Sequence, residues 1–462
     1  MSLRRNFAHV RLVPAIALVA SGSSCAVYGN DTSTVDTGTD SYSTYYATTF
    51  AVDSRSNDTR SNDTAIDSNV ATSFQPIDSG TGAIDSASGD SAIDTGSFYD
   101  PLDASYDGIL ALCSPDAGTT PAGDANACSA PNACFAVVRA GDGCSVVAND
   151  IAQRVYVEKR RVSDGSLVGL IAVPTTDSET GTQHALLLSG VQPEGALALS
   201  PAGHSLTFVG YHATEGASIL TADAAIVANV DSSFTLDTST TDVGGAGFAA
   251  YGAVRDDGNN IWASEGAGVN LLQFGASMGT HSVPIVNPSD VPFELHIFAG
   301  QLYSSSPDSP DRTIYAVGAG MPTSAPDGGY VTVTNLAGTS QMYAPTYGYA
   351  FFHLASTGTA PDRLYAANMG SGLERWDYVP TLSQWVQTAT IDTGIYGHLT
   401  GFATSPTSVT LIATTAQGDR ILRIVDDSTS DAASAVTTLV SLPTASNGLL
   451  SEVYLGVSLL PQ

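Results

Sequence analysis

The stretch Gly195–Thr240 constrains the fold of this chain more than any other. An apolar run from Ala196 closes on Ser200-Pro201, a tight turn follows at Ala202-Gly203-His204, and Leu206-Thr207-Phe208-Val209 reads as the returning strand. Ala225–Val230 and Phe234–Thr240 supply two further runs, so the stretch spells a four-strand antiparallel meander. If the unit recurs, the fold is a ring of such sheets.

It does recur. Runs rich in β-branched and aromatic residues, bounded by Gly, Asp or Pro, fall into groups of four over 252–286, 294–335, 350–391 and 399–442. The ends complete the count. Three strands precede the opening stretch, at Phe135–Arg139, Arg154–Arg161 and Leu167–Pro174, and one follows the last group, at Val453–Leu460 before Pro461. Joined, they make one more sheet and remove the free edges. The expected fold is therefore all-β: a six-bladed β-propeller over 135–462, closed by the C-terminal strand. No window outside the first 20 residues sustains a helical apolar period for three turns, in keeping with this.

The N-terminal third reads differently. Arg4, Arg5 and Arg11, the apolar run Leu12–Ala20 and the small residues before Cys25 resemble a bacterial lipoprotein signal over 1–25. That resemblance implies lipidation at Cys25, anchoring in the outer cell envelope and contact with membrane only through the lipid. An ordinary secretory signal is the alternative, and Arg4-Arg5-Asn6-Phe7 partly resembles a twin-arginine signal. Residues 26–100 carry twelve Asp against two Arg, with few large apolar side chains. Such a segment cannot bury enough surface to offset its backbone entropy, so a disordered tether is expected, reaching roughly 45–50 Å. Its Asp-rich echoes lack the Gly and final Glu of an EF-hand loop.

Four cysteines, Cys113, Cys128, Cys134 and Cys144, cluster at spacings of 15, 6 and 10. With no CxxC among them, two disulfides in an exported chain are expected rather than a zinc site. Three pairings are open. Cys128–Cys134 with Cys113–Cys144 is preferred, because Cys134 and Cys144 flank an extended segment that would hold them apart. Residues 101–134 are then a stapled cap, too short for a core of their own.

The net charge of -29, with Lys159 the single lysine, repels phosphate backbones and disfavours a nucleic-acid role. Several stretches resemble a family of exported bacterial β-propeller proteins of poorly defined function. They are Val137-Val-Arg-Ala-Gly-Asp-Gly143, Pro193-Glu-Gly-Ala-Leu-Ala-Leu-Ser-Pro-Ala-Gly203, Leu206-Thr-Phe-Val-Gly-Tyr211, Phe298-Ala-Gly-Gln-Leu-Tyr303 and Leu455-Gly-Val-Ser-Leu-Leu-Pro461. The resemblance implies the fold and an exported location, and no established activity. The family often has Arg where Leu455 stands, a charge this chain lacks.

Propellers bind ligands where the inner strands begin. Glu194, Tyr251, Glu294, Tyr347 or Tyr349, His398 and Glu452 are expected there, with His296 on the same side of its strand as Glu294. Crowded carboxylates beside tyrosines suit a metal or sugar site, whereas backbone bonding by the glutamates and packing by the tyrosines is the plainer alternative. His212 and His353 are expected to be solvated or locally bonded, and Trp262, Trp376 and Trp385 to pack between blades. Asp256-Asp257-Gly258 and Asp426-Asp427 read as turns. No G-x-S-x-G, Walker or HExxH motif is present. The expected function is an envelope-anchored lipoprotein whose propeller, a monomer, binds an extracellular protein or glycan. The alternative is an exported carbohydrate-active or metal-assisted enzyme using the funnel acids. No cofactor is required, although a divalent cation would suit the carboxylates.

Overall fold

A computed structural model describes residues 128–462, apart from 246–248, 267, 279, 308–312, 328, 340–341, 343–344, 355–358, 429–434 and 445–448. The signal, the tether, Cys25, Cys113 and the cap up to residue 127 lie outside the described residues. The described chain is a ring of six four-stranded antiparallel sheets. No helix among the described residues is long and apolar enough to cross a membrane.

Blade 1 contains β1 (Cys134–Ala140), β2 (Val155–Arg161) and β3 (Leu167–Ala172) from the start of the ring, and β24 (Val453–Leu459) from its end. Blade 2 is β4 (Ala198–Leu199), β5 (Ser205–His212), β6 (Ala224–Asp231) and β7 (Leu236–Asp242). Blade 3 is β8 (Ala250–Arg255), β9 (Asn260–Glu265), β10 (Gly268–Gln273) and β11 (Val283–Val286). Blade 4 is β12 (Leu295–Phe298), β13 (Gln301–Ser305), β14 (Ile314–Val317) and β15 (Val333–Asn335). Blade 5 is β16 (Thr346–Phe352), β17 (Arg363–Asn368), β18 (Gly372–Val379) and β19 (Gln384–Asp392). Blade 6 is β20 (Tyr396–Ser405), β21 (Ser408–Thr415), β22 (Arg420–Asp427) and β23 (Ala435–Ser441).

Closure follows the expected pattern of three strands plus one. β24 is the innermost strand of blade 1 and pairs antiparallel with β1, from Phe135↔Leu459 to Ala140↔Val453. Charged side chains lock this seam. Glu158 of β2, only 2% exposed, accepts from Arg139 Nε and Arg160 Nε, both at 2.6 Å. Arg160 in turn donates to the Tyr454 hydroxyl of β24 at 3.1 Å, and Arg139 pairs with Glu452 just before β24. A carboxylate buried this deeply needs its cations, so the N-terminal and C-terminal strands are held by mutual neutralisation as well as by the ladder.

Near the axis, blades meet backbone to backbone. A Cβ on Gly456 would stand 2.0 Å from the carbonyl oxygen of Gly195, and one on Gly348 would stand 2.7 Å from the Cα of His398. Ala196 leaves its own sheet and forms a parallel bridge with Gly252 of blade 3. Farther out, the blades pack apolar faces together: Trp262 lies in the core that joins blades 3 and 4, and Trp376 and Trp385 in the core that joins blades 4 and 5.

Two local readings are corrected. Phe234 is a turn residue with φ 59°, and β7 starts at Leu236. Asp426 belongs to β22, is buried, and accepts from the Tyr365 hydroxyl at 2.6 Å and Arg375 Nη1 at 2.9 Å. It clamps blade 6 to blade 5 instead of capping a turn. Asp256 does cap its turn, accepting from the backbone N–H of Gly258 and Asn260, and Asp257 reaches across to the Ala202 amide of blade 2.

The Cys128–Cys134 disulfide is present, with Cα atoms 5.3 Å apart, and it marks an oxidising compartment. Cys144 is also disulfide-bonded, and Cys113, the partner expected for it, lies outside the described residues.

Candidate binding site at the channel throat

Each inner strand begins on one face of the ring, here termed the entry face, and the residues at those starts surround the axis. Glu194 is buried beneath that face. It accepts from the Ser189 backbone N–H (2.9 Å), the Ser189 hydroxyl (2.7 Å) and the Tyr211 hydroxyl (2.6 Å). Burial raises its carboxyl to about 7, because these bonds only partly replace the lost water. Tyr211 then donates nothing further, but its oxygen accepts from the Ala250 amide at 2.9 Å, tying blade 2 to blade 3. Glu452, at the mouth of blade 1, is held by Arg139.

Glu294 occupies a different environment. It precedes β12 in a ring position where the neighbouring inner strands carry Ala196, Gly252 and Gly348, and a Cβ on Gly252 would stand 3.5 Å from the Glu294 Cα. The Glu294 side chain is fully buried and lies between two imidazoles. His296 Nε2 is 2.9 Å from Oε1, and His398 Nδ1 of blade 6 is 3.4 Å from Oε2. Burial alone would raise this carboxyl, yet His296 and His398 outweigh burial and hold it below the usual carboxylate range. His398 is itself fully buried, and its Nε2 has no hydrogen-bond partner among the described residues. Tyr349 is also fully buried, its ring edge-on to His296 with centroids 5.0 Å apart.

Below this throat a cavity of about 210 Å³ runs along the axis. His296, Tyr349, Thr400 and Ser458 contribute polar groups to it, and Phe298 and Phe351 contribute apolar wall. At the mouth, Tyr251 and Tyr347 flank Phe293, with ring centroids 4.8 and 5.7 Å away. Both tyrosines are half-buried, and the three rings form an aromatic row, here termed the ledge, where inner strands begin.

The expected funnel residues thus divide by environment. Glu294, His296, Tyr349 and His398 converge in one connected group. Glu194 and Glu452 are each turned to partners of their own, and Tyr251 belongs to the ledge. Sequence reasoning missed Arg139, Glu158 and Phe293. The arginine was detectable: a cation inside the apolar run Cys-Phe-Ala-Val-Val-Arg-Ala requires a buried acid nearby. Leu455, where the related family often has Arg, is fully buried and packs against Gly195 in the core between blades 1 and 2.

No protein-family model and no curated protein matches the chain. Solved structures with similar shape include a chain of the nidogen/laminin complex (10% identity, TM-score 0.37, covering 71% of this chain and 99% of that one). The periplasmic gluconolactonase PpgL of Pseudomonas aeruginosa has 14% identity and a TM-score of 0.33, covering 70% of this chain and 99% of its own. The WD40 propeller domain of Doa1 has 11% identity and a TM-score of 0.32, covering 58% and 77% respectively. At these scores the assignment of six blades rests on the sheets of this chain itself.

Proposed function

We propose that this protein is an exported, envelope-anchored lipoprotein whose propeller binds an extracellular protein or glycan at the entry face. The observation that carries the binding reading is the ledge Tyr251–Phe293–Tyr347, set over a throat whose carboxylates all have partners. Exposed tyrosine edges offer apolar area and a hydroxyl at small entropic cost, which suits sugar rings and extended peptides alike. An acid–base pair for glycoside cleavage needs two carboxylates free to address one bond. Glu194, accepting three hydrogen bonds, is not free in that sense. The anchor and tether draw support from the basic and apolar N-terminal segment, Cys25 and the Asp-rich run, and the disulfide agrees with export.

The test is a glycan array and an immobilised panel of extracellular proteins, probed with the untagged mature chain. Tyr251→Ala/Tyr347→Ala is expected to lose the bound partner while keeping the wild-type melting temperature. Binding unchanged in that double variant would remove the ledge from the reading.

A second reading, an exported enzyme working through the funnel acids, draws on one feature. Glu294 orients His296, which lines the channel cavity, in the manner of a carboxylate that positions a general base. Turnover of a substrate by the wild type that is abolished in His296→Ala, with binding retained, would favour it.

A further inference from the structure

A second group of one carboxylate and two histidines lies away from the axis, on the entry side of blade 2. Asp177 and His184 belong to the connection between β3 and β4, and His212 ends β5. Asp177 Oδ2 is 3.3 Å from His184 Nδ1, and Asp177 Oδ1 is 3.0 Å from His212 Nε2. One donor atom from each residue lies within 4.8 Å of the other two. Among the described residues this is the only such group of three. The two imidazoles stand edge-on, with ring centroids 6.0 Å apart.

From these positions we infer a binding site for a divalent transition-metal ion, held by Asp177, His184 and His212. Tetrahedral zinc with bonds of about 2.0–2.2 Å places its donors roughly 3.3–3.6 Å apart; each imidazole nitrogen already lies 3.0–3.3 Å from one oxygen of Asp177, and the three donor atoms, all within 4.8 Å of one another, need only draw together around the ion. Two imidazole nitrogens with a single carboxylate suit zinc and its transition-metal neighbours, whereas calcium and magnesium require oxygen donors. Three protein donors leave a fourth position, and the side of the site formed by Asp177, whose side chain is 40% exposed, is open to water.

The surroundings of the three residues are those of a prepared site. The other ring nitrogen of His212, Nδ1, lies 2.5 Å from Asp223 Oδ1. A carboxylate only accepts, so Nδ1 carries the proton and Nε2 is the nitrogen turned towards Asp177, as in a carboxylate–histidine–metal arrangement. The His184 backbone is fixed on both sides: its amide bonds to Thr238 of β7, and its carbonyl accepts from the Thr238 hydroxyl at 2.9 Å. Asp177 Oδ1 additionally accepts from the Ala185 amide at 2.9 Å, which orients the carboxylate. Without a metal, Asp177 must hold two imidazole N–H groups at once. A metal ion takes the place of those protons.

The site is tested on the untagged chain after chelator treatment. Cobalt(II) titration is expected to give visible absorption bands of a nitrogen- and oxygen-ligated tetrahedral or five-coordinate ion at one equivalent. Calorimetry with Zn²⁺ alone should give matching 1:1 stoichiometry. His212→Ala and Asp177→Asn should abolish this component. Asp223→Asn, which touches only the outer ring nitrogen, should weaken it roughly 10–100-fold. Should a variant fail to melt cooperatively, the wild-type cobalt spectrum remains the deciding measurement. Absence of nitrogen-ligand bands, or Zn²⁺ binding of equal strength in His212→Ala, would overturn the assignment and place any bound metal on other acidic parts of the chain.

Discussion

The throat and the rim of this propeller use the same grouping, one carboxylate and two imidazoles, in different settings. In each, one carboxylate shares its two oxygens between two imidazoles: Glu294 with His296 and His398, Asp177 with His212 and His184. At the throat, Glu294 and His398 are fully buried at the starts of inner strands, and His296 keeps 22% of its side-chain exposure. At the rim, Asp177 and His212 retain 40% and 21% of their side-chain exposure, and one connection supplies two of the three residues. The same residue set therefore serves opposite ends. Where water is excluded, the carboxylate and imidazoles serve chiefly to satisfy one another. Where water reaches, as at Asp177, they have donor atoms within reach of a metal ion.

Glu265 extends the comparison. It is as buried as Glu294, but among the described residues its partners are Asn270 at 3.1 Å and the like charge of Asp242, with no imidazole. Burial, reinforced by Asp242, raises its carboxyl to about 8, whereas Glu294 is held low. At equal burial the charged neighbours set the direction: two histidines lower Glu294, whereas Asp242 adds to the effect of burial on Glu265.

The largest expected effect is at the throat. Glu294→Ala leaves the buried His398 and the partly exposed His296 without their acceptor and should cost about 3–5 kcal/mol in chemical denaturation. A loss below about 1 kcal/mol would break the contrast with the rim. Next is Glu265→Gln. The folded state of the wild type binds the Glu265 proton more tightly than the unfolded state, so stability falls as pH rises from about 4.5 to about 8. The glutamine variant lacks that decline and should be more stable than wild type at pH 9, by an amount on the order of a few kcal/mol, and nearly equal at pH 4. Parallel pH curves for the two proteins would contradict it.

Glu294 carries the opposite sign. Its folded-state affinity for a proton is reduced, so its contribution is present above about pH 4.5 and is lost as pH falls through its depressed folded value. Glu294→Gln should therefore flatten the acid limb of the stability curve, each tenfold difference in proton affinity between the folded and unfolded states being worth about 1.4 kcal/mol. Denaturant titrations through the acid range measure this, and an acid limb as steep as that of the wild type would count against the two histidines as the cause. The smallest effect is expected at the rim in metal-free buffer. Burial lowers the His212 imidazole, but Asp223 and Asp177 outweigh burial and raise it. Its contribution is therefore full below about pH 6.5 and fades as pH rises through the folded value. Because the pair is partly solvated, His212→Gln should remove less than about 1 kcal/mol, measured by melting at pH 5.5 and 9. A loss matching that of Glu294→Ala would mean that the rim is as structural as the throat.

Much of this architecture was legible in the residues. Strand positions in all six blades follow from β-branched runs cut by Gly, Asp and Pro, a local signal that nearby contacts reinforce. Closure was legible too, because Val453–Leu460 reads as a strand with no neighbour in its own part of the sequence. The pairing of Glu294 with His296 was visible as a two-residue spacing. The pairing of Glu294 with His398 was not, since 104 positions separate them and only the ring brings blades 4 and 6 to one axis. The rim escaped for the same reason: His212 had no visible partner until the β3–β4 connection was laid over blade 2.

The sequence by itself determined that this chain forms four-strand units, how many, and that the last strand must return to the first blade. These are consequences of alternation, turn chemistry and unpaired edges, which act over a few residues. The tertiary structure decided which polar side chains were to be neutralised and which were to remain open. That choice depends on how much water each carboxylate and imidazole keeps, and water is excluded only by segments that are distant in sequence.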